Sequence, residues 1–448
     1  MTERYDAVIL GMGPGGEVAA SRLIAGGKRV AVVERELIGG ECAYWACIPS
    51  KTLLRPPEVR GEASRAFGTS TPTLELEEVF DYRDQMIRNL DDSGQVKGYE
   101  EQGATVFKGE GRISGPSKVE VNGETLETEH VIVASGSAAN VPPIEGLEAV
   151  PVWTNREATT TREVPSRVVV IGGGPVGLEM GQTLSRFGSR VTLVQHADGL
   201  LNREDGEVGE LIRAAFAEEG IEVLTGRSAK KARMDGGTAV VELDDGTELE
   251  TDVVMVGTGR KPNTEGLGLE SVGVEPGGKG LPVDERCRLA EGVWAVGDVT
   301  GVMPFTHVAM YQGRVVADNI LGKERKASYR GIPRVVFTDP EIAAAGLTEE
   351  QAKERGIDVA TATLDLTQSL ARPWTYEEDP RGHLGLVADR DRGVLVGAWA
   401  VAPQASEWIH QASQAIRAEI PIDTLLDGVA QFPTYSEAYL KALEQLDL

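Results

Sequence analysis

The chain has 448 residues, only three of them cysteines, and carries 70 acidic against 45 basic side chains for a formal net charge of −25. That balance argues against nucleic acid or an anionic membrane as partner, because either needs clustered Lys and Arg. No stretch reaches the ~18 apolar residues of a membrane span, and three cysteines cannot make a disulfide framework in a chain of this size. The length predicts several domains. The acids are scattered, and the small group Glu75, Glu77, Glu78 and Asp81 predicts a solvated helix face.

Asp6-Ala7-Val8-Ile9-Leu10 reads as a short strand running straight into Gly11-Met12-Gly13-Pro14-Gly15-Gly16. Gly11, Gly13 and Gly16 allow a tight turn, close approach of a pyrophosphate, and close packing of the helix predicted over 17–25. The strand predicted over 29–34 ends in Glu34, a carboxylate placed to hold a ribose. Strand, glycine turn, helix and acid in this order make a dinucleotide-binding unit, with the phosphates at the helix N-terminus.

Two of the three cysteines follow at once, in Gly39-Gly40-Glu41-Cys42-Ala43-Tyr44-Trp45-Ala46-Cys47-Ile48-Pro49-Ser50-Lys51. Four residues separate them, more than in a Cys-x-x-Cys loop, and the spacing fits a segment entering a helix with both sulfurs on one side. A redox dithiol and two ordinary buried cysteines are both open readings here. The neighbouring dinucleotide unit favours the dithiol.

The unit recurs. The strand predicted over 167–171 leads into a turn with Gly172, Gly174 and Gly177, and a second strand follows over 190–194. Two units imply two dinucleotides, or one dinucleotide and a diverged copy, and a hydride passing between carriers suggests flavin at the first and nicotinamide at the second. Where NAD-specific units carry an acid at the end of the second strand, this chain has Gln195. His196 follows, and Arg203 a little later. A neutral Gln195 removes repulsion against a 2′-phosphate, and His196 or Arg203 can pair with it, so the reading favours NADPH over NADH. The glycine-rich stretch 273–280 predicts a loop, and Cys287 a structural position.

Val131-Ile132-Val133-Ala134-Ser135-Gly136-Ser137, Val293-Trp294-Ala295-Val296-Gly297-Asp298 and Pro333-Arg334-Val335-Val336-Phe337-Thr338-Asp339-Pro340-Glu341 complete a pattern. Over essentially its whole length the chain resembles the pyridine nucleotide-disulfide oxidoreductases. The resemblance implies an α/β fold with two Rossmann-like dinucleotide-binding domains and a C-terminal α+β dimerisation domain. The implied division is an FAD-binding domain (1–150), an NAD(P)-binding domain (151–265), a return segment (266–330) and an interface domain (331–448). It implies a homodimer with active sites at the subunit interface, FAD and NAD(P)H as cofactors, a small-molecule acceptor and no metal. The N-terminus carries Glu3 and Asp6 and feeds directly into a strand, which argues against a signal peptide, so a cytoplasmic location is expected.

Carried over by motif, Cys42 and Cys47 become a redox disulfide. Cys47 is then the sulfur nearer the flavin and Cys42 the interchange thiol. Lys51 falls on the family's lysine beside the flavin and Glu179 on its ion-pair partner. Asp298 is expected to hold the ribityl chain. Gly40, Gly111, Ser135, Gly136, Ser137 and Gly259 are expected to line cofactor, and His307 to lie near the flavin in an electrostatic or structural role. The chain departs from the family near its C-terminus, where relatives that reduce disulfides carry His-Pro-Thr-x-Ser-Glu. Here Phe432-Pro433-Thr434-Tyr435-Ser436-Glu437 keeps the glutamate and replaces the histidine. Losing a positioned base costs about 10²–10⁴-fold in rate.

Four outcomes stand open. A small disulfide is still reduced, with water, Glu437 or Tyr435 handling the proton. Alternatively Phe432 excludes protons, as in the family's 2-ketopropyl coenzyme M oxidoreductase/carboxylase, which carries out reductive C–S cleavage and carboxylation. The acceptor is instead a quinone, dioxygen or a metal ion. Or the chain is a flavin-binding scaffold impaired in turnover. Mercuric reductase proper is not expected, since those relatives need a further cysteine pair and this chain reads Glu444-Gln445-Leu446-Asp447-Leu448.

Overall fold

The computed structural model describes residues 4–448. By packing, the chain divides into two compact units. One comprises the chain up to Ser50 with Asp81–Asn140 and Gly259–Ser328; the other comprises Lys51–Phe80, Val141–Thr258 and Tyr329–Leu448.

In the first unit, β1 (Arg4–Leu10) lies centrally in a mainly parallel sheet, between β2 (Val30–Glu34) and the strand Glu124–Val133. Ile9 sits opposite Val32 on one side and Ile132 on the other. β2 and most of β1 are buried on both faces and read as continuous apolar runs, whereas Glu124–Val133 alternates until its buried end at Val131–Val133. Between β1 and β2 runs α1 (Pro14–Ala25), whose first residue is the proline of the glycine turn. The helix thus begins three residues before the predicted start, because proline's preset φ suits a first turn and its missing N–H costs nothing there. The helix Thr306–Ile320 crosses α1 where Gly313 lies against Gly15; a Cβ on Gly313 would stand 2.5 Å from the Gly15 carbonyl oxygen. That close crossing fixes where the N-terminus of Thr306–Ile320 points.

The cysteine segment differs from the single helix entry expected. Cys42 lies in the short α2 (Gly40–Tyr44), and Cys47 opens α3 (Cys47–Arg65), with Trp45 and Ala46 between. Gly39 and Gly40 hold φ of 120° and 61°, values side chains resist.

The second unit holds a five-stranded parallel sheet ordered Glu222–Thr225, Arg190–Gln195, Arg167–Ile171, Val253–Val256 and Val152–Trp153. The strands Ala229–Asp235, Thr238–Leu243 and Glu248–Thr251 form an antiparallel meander. C-terminal to these lies a five-stranded antiparallel sheet, with Glu341–Gly346 between Pro333–Val336 and Val394–Ala402. One of its cores gathers Ala343, Ala345, Ala400, Ile409, Tyr435 and Tyr439, and the other sets Ile342, Ala344 and Trp399 with Leu178, Ile212 and Phe216. Glu75, Glu77, Glu78 and Asp81 are exposed on or just before the helix Leu76–Met86, as expected of a solvated face. Cys287 is fully buried. Among the described residues no helix is long and apolar enough to cross a membrane.

Candidate active site

The two glycine turns are near copies. Gly11 and Gly172 take φ of 100° and 113°. A Cβ on Gly16 would stand 2.1 Å from the Gly11 carbonyl oxygen, and one on Gly177 would stand 2.0 Å from that of Gly172. Both positions require glycine because helix and turn touch there. Gly13 is different: it caps α1 with no side-chain hydrogen bond, and no heavy atom lies within 4 Å of where its Cβ would be. Gly174 caps the helix Pro175–Phe187 in the same way, with only the Gly257 oxygen 3.9 Å off. Open space at a helix N-terminus with free backbone N–H groups suits a diphosphate. Both turns therefore fit the dinucleotide that the sequence pattern implies.

The residue ending each second strand makes the same bond in both units. Glu34 accepts from the Met12 N–H at 2.7 Å and from the Glu36 N–H at 2.7 Å. Burial pushes its carboxyl up, against those two hydrogen bonds. Gln195 accepts from the Gly173 N–H at 2.9 Å through Oε1. His196 is exposed and shares a 2.8 Å hydrogen bond between Nδ1 and the Ser228 hydroxyl; Arg203 is exposed in the following turn.

A second cluster of the first unit surrounds Asp298. Ser137 donates to Asp298 Oδ2 at 2.5 Å. Arg260 donates to the Ser137 hydroxyl at 2.7 Å and pairs with Asp298 at 3.8 Å and Glu41 at 3.5 Å. Arg260 was not foreseen, although it directly follows Gly259 (φ 104°), whose carbonyl accepts from Asn140 at 2.9 Å. Ser135 and Asn263 exchange two hydrogen bonds, and Gly136 faces open space. Gly40 packs on the Gly13 Cα. Gly111 lies under the ends of β1 and β2, where a Cβ would meet Leu10 at 2.8 Å and Val33 at 2.9 Å. Its tight neighbours are core side chains.

The two cysteines stand as thiols around one hydroxyl. Thr306 Oγ1 lies 3.2 Å from Cys42 Sγ and 3.3 Å from Cys47 Sγ. The hydrogen bond that the Cys42 thiol donates to Cys47 and burial push Cys42 up, the Cys47 charge adds to this, and the Thr306 hydrogen bond opposes it. Glu17 in the first turn of α1 raises Cys42 further by like charge, while burial pushes Glu17's own carboxyl up. Thr306 was not singled out from the sequence, yet it immediately precedes His307, which was. The His307 ring stacks on Phe305 at 5.3 Å. Tyr44 is fully buried and donates to the Ile38 carbonyl at 3.1 Å, so it packs the loop.

Lys51 follows Cys47 by one helical turn on α3. In the second unit its Nζ lies 2.7 Å from Glu179 Oε2 and 4.6 Å from the centre of the Phe337 ring. Glu179 is buried, and its other oxygen accepts from the Phe337 N–H at 3.0 Å. The C-terminal segment presents Phe432 at 63 % exposure, while Tyr435 is buried against Trp408. The Tyr435 hydroxyl and Glu437 Oε2 are buried with no hydrogen-bond partner among the described residues.

Residues 5–313 match the model of the pyridine nucleotide-disulphide oxidoreductases and residues 332–443 that of the family's dimerisation domain. The chain belongs to the pyridine nucleotide-disulphide oxidoreductases, FAD-dependent enzymes that also bind a pyridine nucleotide. A mercuric reductase of Staphylococcus aureus is 35 % identical over 443 residues, covering 97 % of this chain and 81 % of that protein. A dihydrolipoyl dehydrogenase of Thermus scotoductus is 36 % identical over 456 residues, covering 99 % and 97 %. Among solved structures, the Cu(II) complex of the HOCl-induced flavoprotein disulfide reductase RclA from Escherichia coli aligns with a TM-score of 0.87 at 26 % identity, covering 99 % of each chain. LpdA from Mycobacterium tuberculosis also gives 0.87, at 29 % identity, again covering 99 % of each.

Proposed function

We propose that this chain is a homodimeric, NADPH-dependent flavoenzyme whose Cys42–Cys47 couple carries two electrons to a small acceptor. The observation that carries this reading is the grouping of both sulfurs on the Thr306 hydroxyl, within the same unit as the Gly11–Gly16 turn. In this reading 1–150 and 266–330 serve FAD, 151–265 the nucleotide, and 331–448 the dimer contact.

Gly11, Gly13, Gly16 and Glu34 would hold the adenine half of FAD, and Ser137 and Asp298, braced by Arg260, its ribityl side. When bound, the flavin supplies a two-electron link between reduced nicotinamide and the sulfur couple. Lys51 and Glu179 form an ion pair in the second unit, at the places the family resemblance gives to its lysine and glutamate. Cys42 is the sulfur that meets the acceptor, and a thiolate is the working nucleophile. At the second turn Gln195 makes the Glu34 bond without a negative charge, leaving His196 free of a competing carboxylate; this supports NADPH.

Phe432 narrows the class of acceptor. A disulfide leaves as thiolates that need a proton, and phenylalanine has none to give. A thiophilic metal ion needs only electrons and sulfur ligands. This second reading is favoured by Phe432 together with the mercuric reductase relatives and the Cu(II) complex of RclA. The test is anaerobic NADPH addition with thiol counting, followed by an acceptor panel of lipoamide, glutathione disulfide, Hg(II) and Cu(II), for wild type and Phe432→His. Two new thiols per chain are expected on reduction. Turnover of metal ions by wild type, with disulfide turnover gained by at least about tenfold in Phe432→His, is the expected pattern. No new thiols overturns the proposal; disulfide turnover indifferent to Phe432→His overturns the role given to the ring.

A further inference from the structure

The dithiol has lost the histidine that would exchange its proton, yet one sulfur must still be a thiolate while the other keeps a proton. We propose that Thr306 relays that proton between Cys42 and Cys47, so that negative charge moves from one sulfur to the other without an external base. This rests on the reading of the pair as a redox couple and deepens it by naming the group that governs which sulfur is reactive.

The geometry is a triangle of three polar atoms, in which the two sulfurs also hydrogen-bond each other directly. Thr306 Oγ1 donates to Cys42 Sγ at 3.2 Å, and Cys47 Sγ lies 3.3 Å from the same oxygen. A hydroxyl has one proton and two lone pairs and rotates to suit its partners. With Cys47 protonated, its S–H donates to Oγ1 and the Thr306 O–H donates to a Cys42 thiolate. If Cys42 then takes the hydroxyl proton, Oγ1 takes the proton of Cys47. One S–H bond and one O–H bond break, the same number form, and the charge now sits on Cys47. No proton leaves the pocket and no electron moves.

The placement of Thr306 is secured by packing. It is the first residue of the fifteen-residue helix Thr306–Ile320, which Gly15 and Gly313 hold tightly against α1. The positive end of that helix favours a thiolate at its first residue. Among the other groups around Cys42, the Cys47 sulfur opposes its ionisation most, by accepting its hydrogen bond and by like charge. Glu17 on α1 opposes ionisation by like charge. Glu41, beside Cys42 on α2, is paired with Arg260 at 3.5 Å. His307, next to Thr306, stacks on Phe305. Thr306 is thus a positioning residue, acting through the sulfurs.

The experiment is alkylation by iodoacetamide of the FAD-loaded enzyme reduced with dithiothreitol, with the modified sulfur identified by mass spectrometry from pH 5 to 10. Thr306→Val keeps the shape and removes the hydroxyl, and Thr306→Ser keeps the hydroxyl. Thr306→Val is expected to cut the alkylation rate of Cys42 at pH 7 about tenfold and to shift its profile about one unit alkaline. Thr306→Ser is expected to retain the wild-type profile. If Thr306→Val does not fold by near-ultraviolet circular dichroism, Thr306→Ala carries the same expectation. A profile unchanged in the hydroxyl-less variant, or a serine variant that behaves like valine, overturns the relay. Failure of NADPH to expose the two thiols in wild type sinks the redox couple instead, and is seen separately.

Discussion

At the level of single residues, charge at the end of a strand separates the two nucleotide turns. Glu34 and Gln195 occupy matching places and each binds the N–H of the turn's second residue, at 2.7 and 2.9 Å. The bond therefore does not explain the difference in residue; on the proposed NADPH reading, the ligand does. Gln195→Glu preserves the Gly173 bond and adds a carboxylate beside His196. Its expected effect is a rise of about tenfold or more in KM for NADPH with little change for NADH, read from initial rates with the two coenzymes. Equal effects on both would remove the argument for a 2′-phosphate. The orphaned Tyr435 hydroxyl and Glu437 oxygen make the opposite point. Buried polar atoms are almost always paired, so these two are exceptions within the chain's own packing.

At the level of elements, a glycine matters for two unlike reasons, and substitution separates them. Gly16 is pressed on the Gly11 oxygen, so Gly16→Ala must push α1 off the sheet. Overpacking of this kind costs about 1–3 kcal/mol or more, and poor yield of folded protein is expected. Gly13 has φ of −72°, which alanine adopts freely, and faces open space. Gly13→Ala is therefore expected to fold, with a thermal midpoint of the apoprotein within a few degrees of wild type, while FAD retention through gel filtration falls. Retention at the wild-type level would show that the space above Gly13 is not where phosphate lies. The break between α2 and α3 belongs to this scale too. It turns two cysteines five positions apart in sequence towards one hydroxyl from a helix over 250 residues further on.

For the whole molecule, the C-terminal sheet carries a pH-dependent cost. Burial pushes the Glu341 carboxyl up to about 7, against the hydrogen bond it accepts from the Ser406 N–H at 2.8 Å, with Glu58 and Glu407 adding to the rise. A raised carboxyl means that the folded state holds a proton which the unfolded state releases near 4.5. Stability on this account is greatest below that value, declines as pH rises through the window from about 4.5 to 7, and is lowest above it, by at most about 3 kcal/mol. Glu341→Gln keeps an acceptor for Ser406 and removes the charge. Calorimetry is expected to show it stabilising the protein by a few degrees at pH 8 and by much less at pH 5. An equal shift at both values would rule out titration of this group as the cause.

Much of this protein was readable along the chain because its chemistry is local. A strand, a glycine turn and a helix are contiguous, so two dinucleotide units declared themselves, as did the spacing of Cys42 and Cys47 and the replacement at Phe432. What contiguous residues could not reveal was which distant groups meet. Thr306 joins the sulfurs and Arg260 braces Ser137 and Asp298 only because helix crossings and strand pairings bring segments over a hundred residues apart within hydrogen-bond distance. Gly111 shows the converse, a motif-like glycine whose tight neighbours, Leu10 and Val33, belong to the core. Sequence determines which chemistry is on hand, since it sets residue types and local periodicity. Tertiary structure alone decides which groups act together, because hydrogen bonds and charge effects fall away within a few ångströms of space whatever the separation along the chain.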